Sequence, residues 1–159
     1  MPTLLFIPGL LLTPRLYDAQ VAALRGRYSI AFADTFGMHS ITAMAEKALA
    51  SVDGDIIPIG LSMGGYVSLE IARLAPRRLR AIVAMDSNAT TDSPERKAER
   101  KRLIEMSSIG KFRGVTKTLL PQFIAEANLD DETITRPIMD MAEEVGRDNF
   151  LSCLLYTSP

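Results

Sequence analysis

A chain of 159 residues, 47% hydrophobic and 23% charged, is long enough to bury a core and ordinary in composition for a globular domain. Its formal charge of −1, with 18 Lys and Arg against 19 Asp and Glu, gives no electrostatic footprint for nucleic acid or an anionic membrane. Cys153 is the only cysteine, which excludes an intrachain disulfide and favours a reducing compartment.

The first twelve residues are apolar, but they lack a positive start and Pro8-Gly9 interrupts them, so they do not read as a signal peptide. No stretch approaches the roughly 18–20 apolar residues needed to span a bilayer, and a cytoplasmic location is expected. Thr3 to Ile7 reads instead as a buried strand feeding a tight turn. Leu16 to Leu24 has the spacing of a short helix closed by Gly26, and Tyr28 to Ala33 reads as a second strand ending in the polar segment Asp34 to His39. Ser40 is a natural N-cap. Behind it Ile41, Met44, Ala45, Ala48 and Leu49 form one apolar helical stripe. After the Asp53-Gly54 turn, Asp55 to Ile59 is the third strand. A helix follows Ser62, with Val67, Ile71 and Leu74 on one side and a stop at Pro76. Arg80 to Met85 is the fourth strand.

From Ser93 onward the pattern becomes helical. Pro94 to Met106 predicts a charged amphipathic helix, Gly114 to Ala127 a second interrupted at Pro121, and Asp130 to Glu144 a third. The basic groups Arg77–Arg80 and Arg96–Arg102 read as solvated helix ends or faces. Strands that alternate with helices, each nearly continuous in apolar residues, predict an α/β fold: a doubly wound, mainly parallel sheet covered on both faces. Residues 1–92 form the α/β core in this reading, 93–151 a helical cap-like segment and 152–159 a tail of doubtful origin. All strand C-termini then lie on one edge, where open α/β sheets bind ligands.

The most informative segment is Ile56-Ile57-Pro58-Ile59-Gly60-Leu61-Ser62-Met63-Gly64-Gly65, a strand, then G-x-S-x-G, then a helix. A serine on a sharp strand-to-helix turn has strained backbone angles, and glycines two residues to either side keep neighbouring atoms clear. That geometry lifts the hydroxyl out of the sheet edge and leaves the Met63 N–H at a helix N-terminus, where it can stabilise an oxyanion. The loop Pro8-Gly9-Leu10, at the end of the first strand, is placed to supply a second N–H from Leu10.

This arrangement resembles the α/β-hydrolase fold superfamily, in the branch of small esterase-like serine hydrolases with a helical cap. The resemblance covers Thr3 to about Asn88 and continues more loosely through the cap-like helices. It implies Ser62 as nucleophile and the backbone N–H groups of Leu10 and Met63 as oxyanion hole. Many relatives carry His-Gly where this chain has Pro8-Gly9, a difference the backbone N–H tolerates. The implied activity is hydrolysis of carboxylic esters or related acyl compounds, with a small acyl molecule as partner and no cofactor.

A serine hydroxyl needs a base to take its proton and a carboxylate to orient that base. In the family both follow the cap. His39 is the only histidine, precedes the serine, and reads as a surface loop residue. Asp86, after the fourth strand, is the candidate acid, although it is equally suited to cap the turn with Ser87 and Asn88. Asp34 and Asp92 read as loop residues. Nothing near Cys153 supplies a base or an anion hole, and the methionines, Met106 among them, read as core or pocket filling rather than metal ligands.

Relatives continue after the cap with two strands, an acid-bearing turn and a histidine-bearing loop, whereas this chain ends in SCLLYTSP, which does not resemble that continuation. The expectation is therefore a truncated and inactive serine hydrolase whose sheet keeps an unpaired apolar edge, a hazard for self-association. Two other readings remain open at this point. One is a non-catalytic binding or interaction module; the other is a cofactor-free haloperoxidase or acyltransferase of the same fold. A dehalogenase requires a carboxylate nucleophile, which Ser62 argues against.

Overall fold

In a computed structural model of the chain, which describes residues 1–90, 92–108 and 112–156, the apolar run Thr3–Ile7 forms β1, an inner strand of a four-stranded sheet. β2 (Ser29–Phe32), β3 (Ile56–Leu61) and β4 (Val83–Met85) complete it in the order β2-β1-β3-β4, with every pairing parallel. Thr3 sits opposite Ser29 on one side and Ile56 on the other. The chain therefore leaves β1 for the outer strand β2, then crosses back to build β3 on the opposite side. The strand order reverses between β1 and β3, and a crevice opens outside the carboxyl ends of such a pair.

Alternation along β1 sends its side chains to two faces. Leu5 and Ile7 join Ile56 beneath α2 (Ile41–Ala50) and α3 (Met63–Leu74), through Met44, Ala45, Ala48, Val67 and Ile71. Leu4 and Phe6 pack on the other face against Tyr17 and Val21, in the segment that runs through a 3-10 turn into α1 (Asp18–Leu24). Helices thus cover both faces, as the nearly continuous apolar strands predict. Local signals set α2: the Ser40 hydroxyl accepts a hydrogen bond from the Ala43 N–H at 3.0 Å. At its other end the Arg78 guanidinium reaches the carbonyls of Leu49 (3.1 Å), Gly54 (2.8 Å) and Val52, satisfying acceptors left by the end of α2 and the turn after it.

β4 is shorter than the predicted Arg80–Met85. Before it, Leu79 forms an isolated bridge to Ile56. β4 pairs with β3 alone, and Val83 on this edge is 41% exposed.

The C-terminal part holds α4 (Pro94–Ser108) and α5 (Glu132–Tyr156), with no strand among its described residues. The helix predicted over Gly114–Ala127 does not form; two 3-10 turns, Leu120–Gln122 and Glu126–Asn128, stand in its place. Pro121 has no N–H to donate, which the first positions of a short 3-10 turn tolerate and a helix interior does not. Val115 and Leu120, five residues apart, are buried in one apolar cluster, a spacing that one helical face does not provide. α5 is longer than predicted and breaks at Gly146, with φ 71° and ψ 174°. Its two halves close over Leu11 through Ala142, Val145, Phe150 and Leu154, while Cys153 reaches the main core. The Met106 side chain and residues 157–159 of the proposed tail lie outside the described structure.

Candidate active site

Three serines precede helices here, and Ser62 differs from the other two. Ser93 accepts from the Arg96 N–H at 3.3 Å at the start of α4. Ser40 caps α2, whereas the Ser62 side chain makes no capping hydrogen bond to α3 and is exposed, so its hydroxyl is not engaged by the helix. Ser62 has φ 50° and ψ −112°, a conformation that costs a non-glycine residue about 1–3 kcal/mol and that the surroundings must impose. They impose it through close backbone approach. A Cβ on Gly60 would lie 2.0 Å from the Gly64 carbonyl oxygen, and one on Gly64 would lie 2.1 Å from the Ile7 carbonyl oxygen. Only glycine lets β3, α3 and the end of β1 converge this tightly.

The loop after β1 lies against the same turn. Gly9 faces it so closely that a Cβ there would sit 3.5 Å from the Ser62 Cβ. Leu11 adopts φ 61° as the loop turns away. Beneath it the buried Tyr17 hydroxyl donates to the Ile7 carbonyl at 2.8 Å. Burial pushes that phenol up to about 12, and a hydrogen bond with the Leu61 backbone acts in the opposite sense. Tyr17 therefore stays a neutral donor joining the ends of β1 and β3. The Met63 N–H is the first of α3, where no carbonyl one turn back exists to accept it, and the helix dipole adds partial positive charge there.

Ser62, Met63, Leu10 and Asp86 line one cavity of about 360 Å³, roofed by α4. Asp86 also has positive φ, 45°, and is exposed. Asp92 joins this wall and is more than the loop residue its sequence suggests. Its side chain is 2% exposed and accepts from Arg100 Nη2 at 2.6 Å and Nε at 3.1 Å. Its partner stands two helical turns into α4, and the pairing depends on where α4 packs, so only the Arg96/Arg100 helical spacing hinted at it.

His39 is exposed and does not line this cavity. Asp34 pairs with Lys47 at 2.7 Å, and that hydrogen bond holds its carboxyl below the usual range. Cys153 is buried, which pushes its thiol up to about 11 and leaves it protonated and inert. A larger hollow of about 1020 Å³ lies between the 112–120 segment and α5, but among the described residues no serine, cysteine or histidine lines it. Among the described residues no group of three or more His, Cys, Asp or Glu is arranged to hold a metal ion, and no helix is long and apolar enough to cross a membrane.

No family sequence model matches this chain, and neither does any curated protein sequence. Solved structures do. An esterase from Thermogutta terrifontis, solved with malate bound, superposes with a TM-score of 0.84 at 23% identity, over 99% of this chain and 63% of its own. A hydrolase from Pseudomonas aeruginosa PA01 gives 0.81 at 20% identity, over 98% and 63%. An enol-lactonase from Burkholderia xenovorans LB400 gives 0.71 at 17%, over 98% and 65%. The chain has the α/β-hydrolase fold. It spans less than two thirds of the length of each of these neighbours.

Proposed function

We propose that this chain is the nucleophile-bearing portion of a cytoplasmic serine hydrolase acting on carboxylic esters or related acyl compounds. The observation that carries this reading is Ser62 itself: a strained, exposed serine whose hydroxyl makes no helix cap and whose neighbour opens a helix beside the Leu10 loop. Ser62 Oγ adds to the acyl carbonyl carbon while its proton passes to a base. The resulting oxyanion is held by the Met63 and Leu10 N–H groups. Collapse expels the alcohol and leaves an acyl-serine, which water then hydrolyses. Asp86 is the proposed carboxylate to orient the base; it shares the cavity with Ser62, as do Glu99 and Asp92, the latter already paired with Arg100. An esterase and an enol-lactonase among the structural neighbours are consistent with acyl chemistry at this position.

The base is the missing part. No histidine is among the residues lining the cavity, so the chain as it stands acylates slowly and turns over little. That same observation favours a second reading, in which the polypeptide is a non-catalytic module that binds a small acyl ligand in the cavity.

Labelling with a fluorophosphonate probe separates the two. Slow labelling, abolished by Ser62→Ala and unchanged by His39→Ala, is the result expected of a hydrolase portion without its base. Labelling identical in wild type and Ser62→Ala refutes the serine as nucleophile and leaves the binding module. Fast labelling lost in His39→Ala identifies His39 as the base and refutes the incomplete triad.

A further inference from the structure

The Ser62 backbone is held by the segment that follows β4. The Ser62 N–H donates to the Met85 carbonyl at 2.9 Å. Its carbonyl accepts twice, from the Gly65 N–H at 2.9 Å within the turn and from the Ser87 hydroxyl at 3.0 Å. Met85 and Ser87 therefore grip the two polar groups of one residue, and Asp86 lies between them at φ 45°. A carbonyl oxygen has two lone pairs, and both are engaged here. The space Ser87 occupies is reserved for it: a Cβ on Gly65 would fall 2.3 Å from Ser87 Oγ and 2.4 Å from its Cβ. The second glycine after Met63 is thus matched to a serine more than twenty positions away, in a turn that otherwise looks like an ordinary Asp-Ser-Asn loop.

We infer that Ser87 is a positioning residue for Ser62, its hydroxyl locking the nucleophile's strained carbonyl to the turn that carries Asp86. The inference rests on Ser62 being the nucleophile of the proposed reaction. A strained conformation persists only where several contacts over-determine it. Without the Ser87 donor, the Ser62 carbonyl keeps one bond and the peptide is free to rotate toward ordinary angles. That rotation swings the hydroxyl and the Met63 N–H together, and displacements near 1 Å from productive geometry reduce rates by about 100-fold.

Two readouts test this on the full chain, with Ser87→Ala, Ser87→Cys and Ser87→Thr. The first is the second-order rate of Ser62 labelling by a fluorophosphonate; the second is amide hydrogen exchange of the peptide spanning Ser62 to Tyr66. Loss of one hydrogen bond should slow labelling about tenfold in Ser87→Ala and speed exchange of that peptide by a similar factor. Ser87→Cys keeps the shape but donates weakly, so it should behave like the alanine variant, while Ser87→Thr restores the donor and should recover most of the rate. A cysteine variant that matches wild type while alanine is impaired shows that packing, not the hydrogen bond, is the contribution, and overturns the proposal. So does unchanged exchange in Ser87→Ala. If wild type itself fails to label, the catalytic reading falls while the exchange arm still decides whether Ser87 holds the turn.

Discussion

Gly64→Ala sets two physical effects against each other at one residue. Gly64 is the second residue of α3, and helix propensity alone predicts that alanine there gains at most about 1 kcal/mol. Packing predicts the reverse. The new Cβ would stand 2.1 Å from the Ile7 carbonyl oxygen and 2.9 Å from both the Ile7 carbonyl carbon and the Pro8 oxygen. The nearest of these is more than ~1 Å inside van der Waals contact. All three are backbone atoms at the end of an inner strand, so no side chain can rotate away. Overpacking of this kind costs about 1–3 kcal/mol, and a clash with fixed backbone belongs at the upper end. The net expectation is a loss of about 2 kcal/mol, or about 4–8 °C in melting temperature for a chain of this size.

Thermal and urea denaturation of Gly64→Ala beside Gly54→Ala provide the assay. Gly54, unlike the helical Gly64, has positive φ, 68°, and nothing lies within 4 Å of its would-be Cβ. Alanine there should cost about 1 kcal/mol, the conformational cost alone. A Gly64→Ala protein as stable as wild type, or more stable, would mean that α3 does not start against the end of β1. The geometry drawn for Ser62 would then be wrong, whatever the chemistry.

Three further outcomes follow from contacts elsewhere. Arg78→Ala removes the donor to three carbonyls around the end of α2 and should cost about 2–3 kcal/mol in urea unfolding; a change below ~0.5 kcal/mol would show that water replaces it freely. Glu70 is held down at about 2 by hydrogen bonds first from Arg73, then from Thr42. Its folded value lies below the unfolded one, so it contributes stability above about pH 4.5 that is lost as pH falls toward 2. Glu70→Gln should therefore flatten the melting temperature against pH in that window and nowhere else. At the β4 edge, sedimentation velocity should show concentration-dependent self-association that Val83→Lys reduces; equal behaviour of the two proteins would rule that edge out as the contact.

What could be read from the sequence was local chemistry. Ser40 as a cap and Gly60, Gly64 and Ser62 as a strand-to-helix turn each depend on atoms within four residues, and each stands where its spacing puts it. The parallel sheet followed from apolar strands alternating with helices. Beyond Ser93 the outcome depends on distant partners. Gly114–Ala127 has helical spacing, yet the burial of Val115 and Leu120 in one cluster with α5 leaves Val115 in irregular backbone and Leu120 in a short 3-10 turn. α5 bends at Gly146, two residues past the predicted end at Glu144, and then resumes as helix to Tyr156 because its second half packs on the apolar clusters. Asp92 shows the same limit at the site: a carboxylate before a helix reads as a turn residue until Arg100 is brought over it.

The strained residues make a connected argument about the site. Among the described residues, the non-glycine ones with positive φ are Leu11, Ser62 and Asp86, and they follow β1, β3 and β4 in turn. Ser62 and Asp86 line the small cavity, and Leu11 directly follows Leu10, which does so too. Each carries roughly 1–3 kcal/mol of conformational cost that a relaxed loop would shed. Chance placement would scatter such residues among the turns; here the turns away from the cavity, at positions 26, 37 and 54, use glycine for the same angles. The sheet edge thus holds non-glycine side chains in strained conformations where a binding surface needs them, and Tyr17, Ser87 and the Gly60–Gly64 approach are the contacts that keep them there. Strain gathered at one edge and supported by several contacts is what a preorganised site requires, and it marks this edge as a site more firmly than the serine motif does alone.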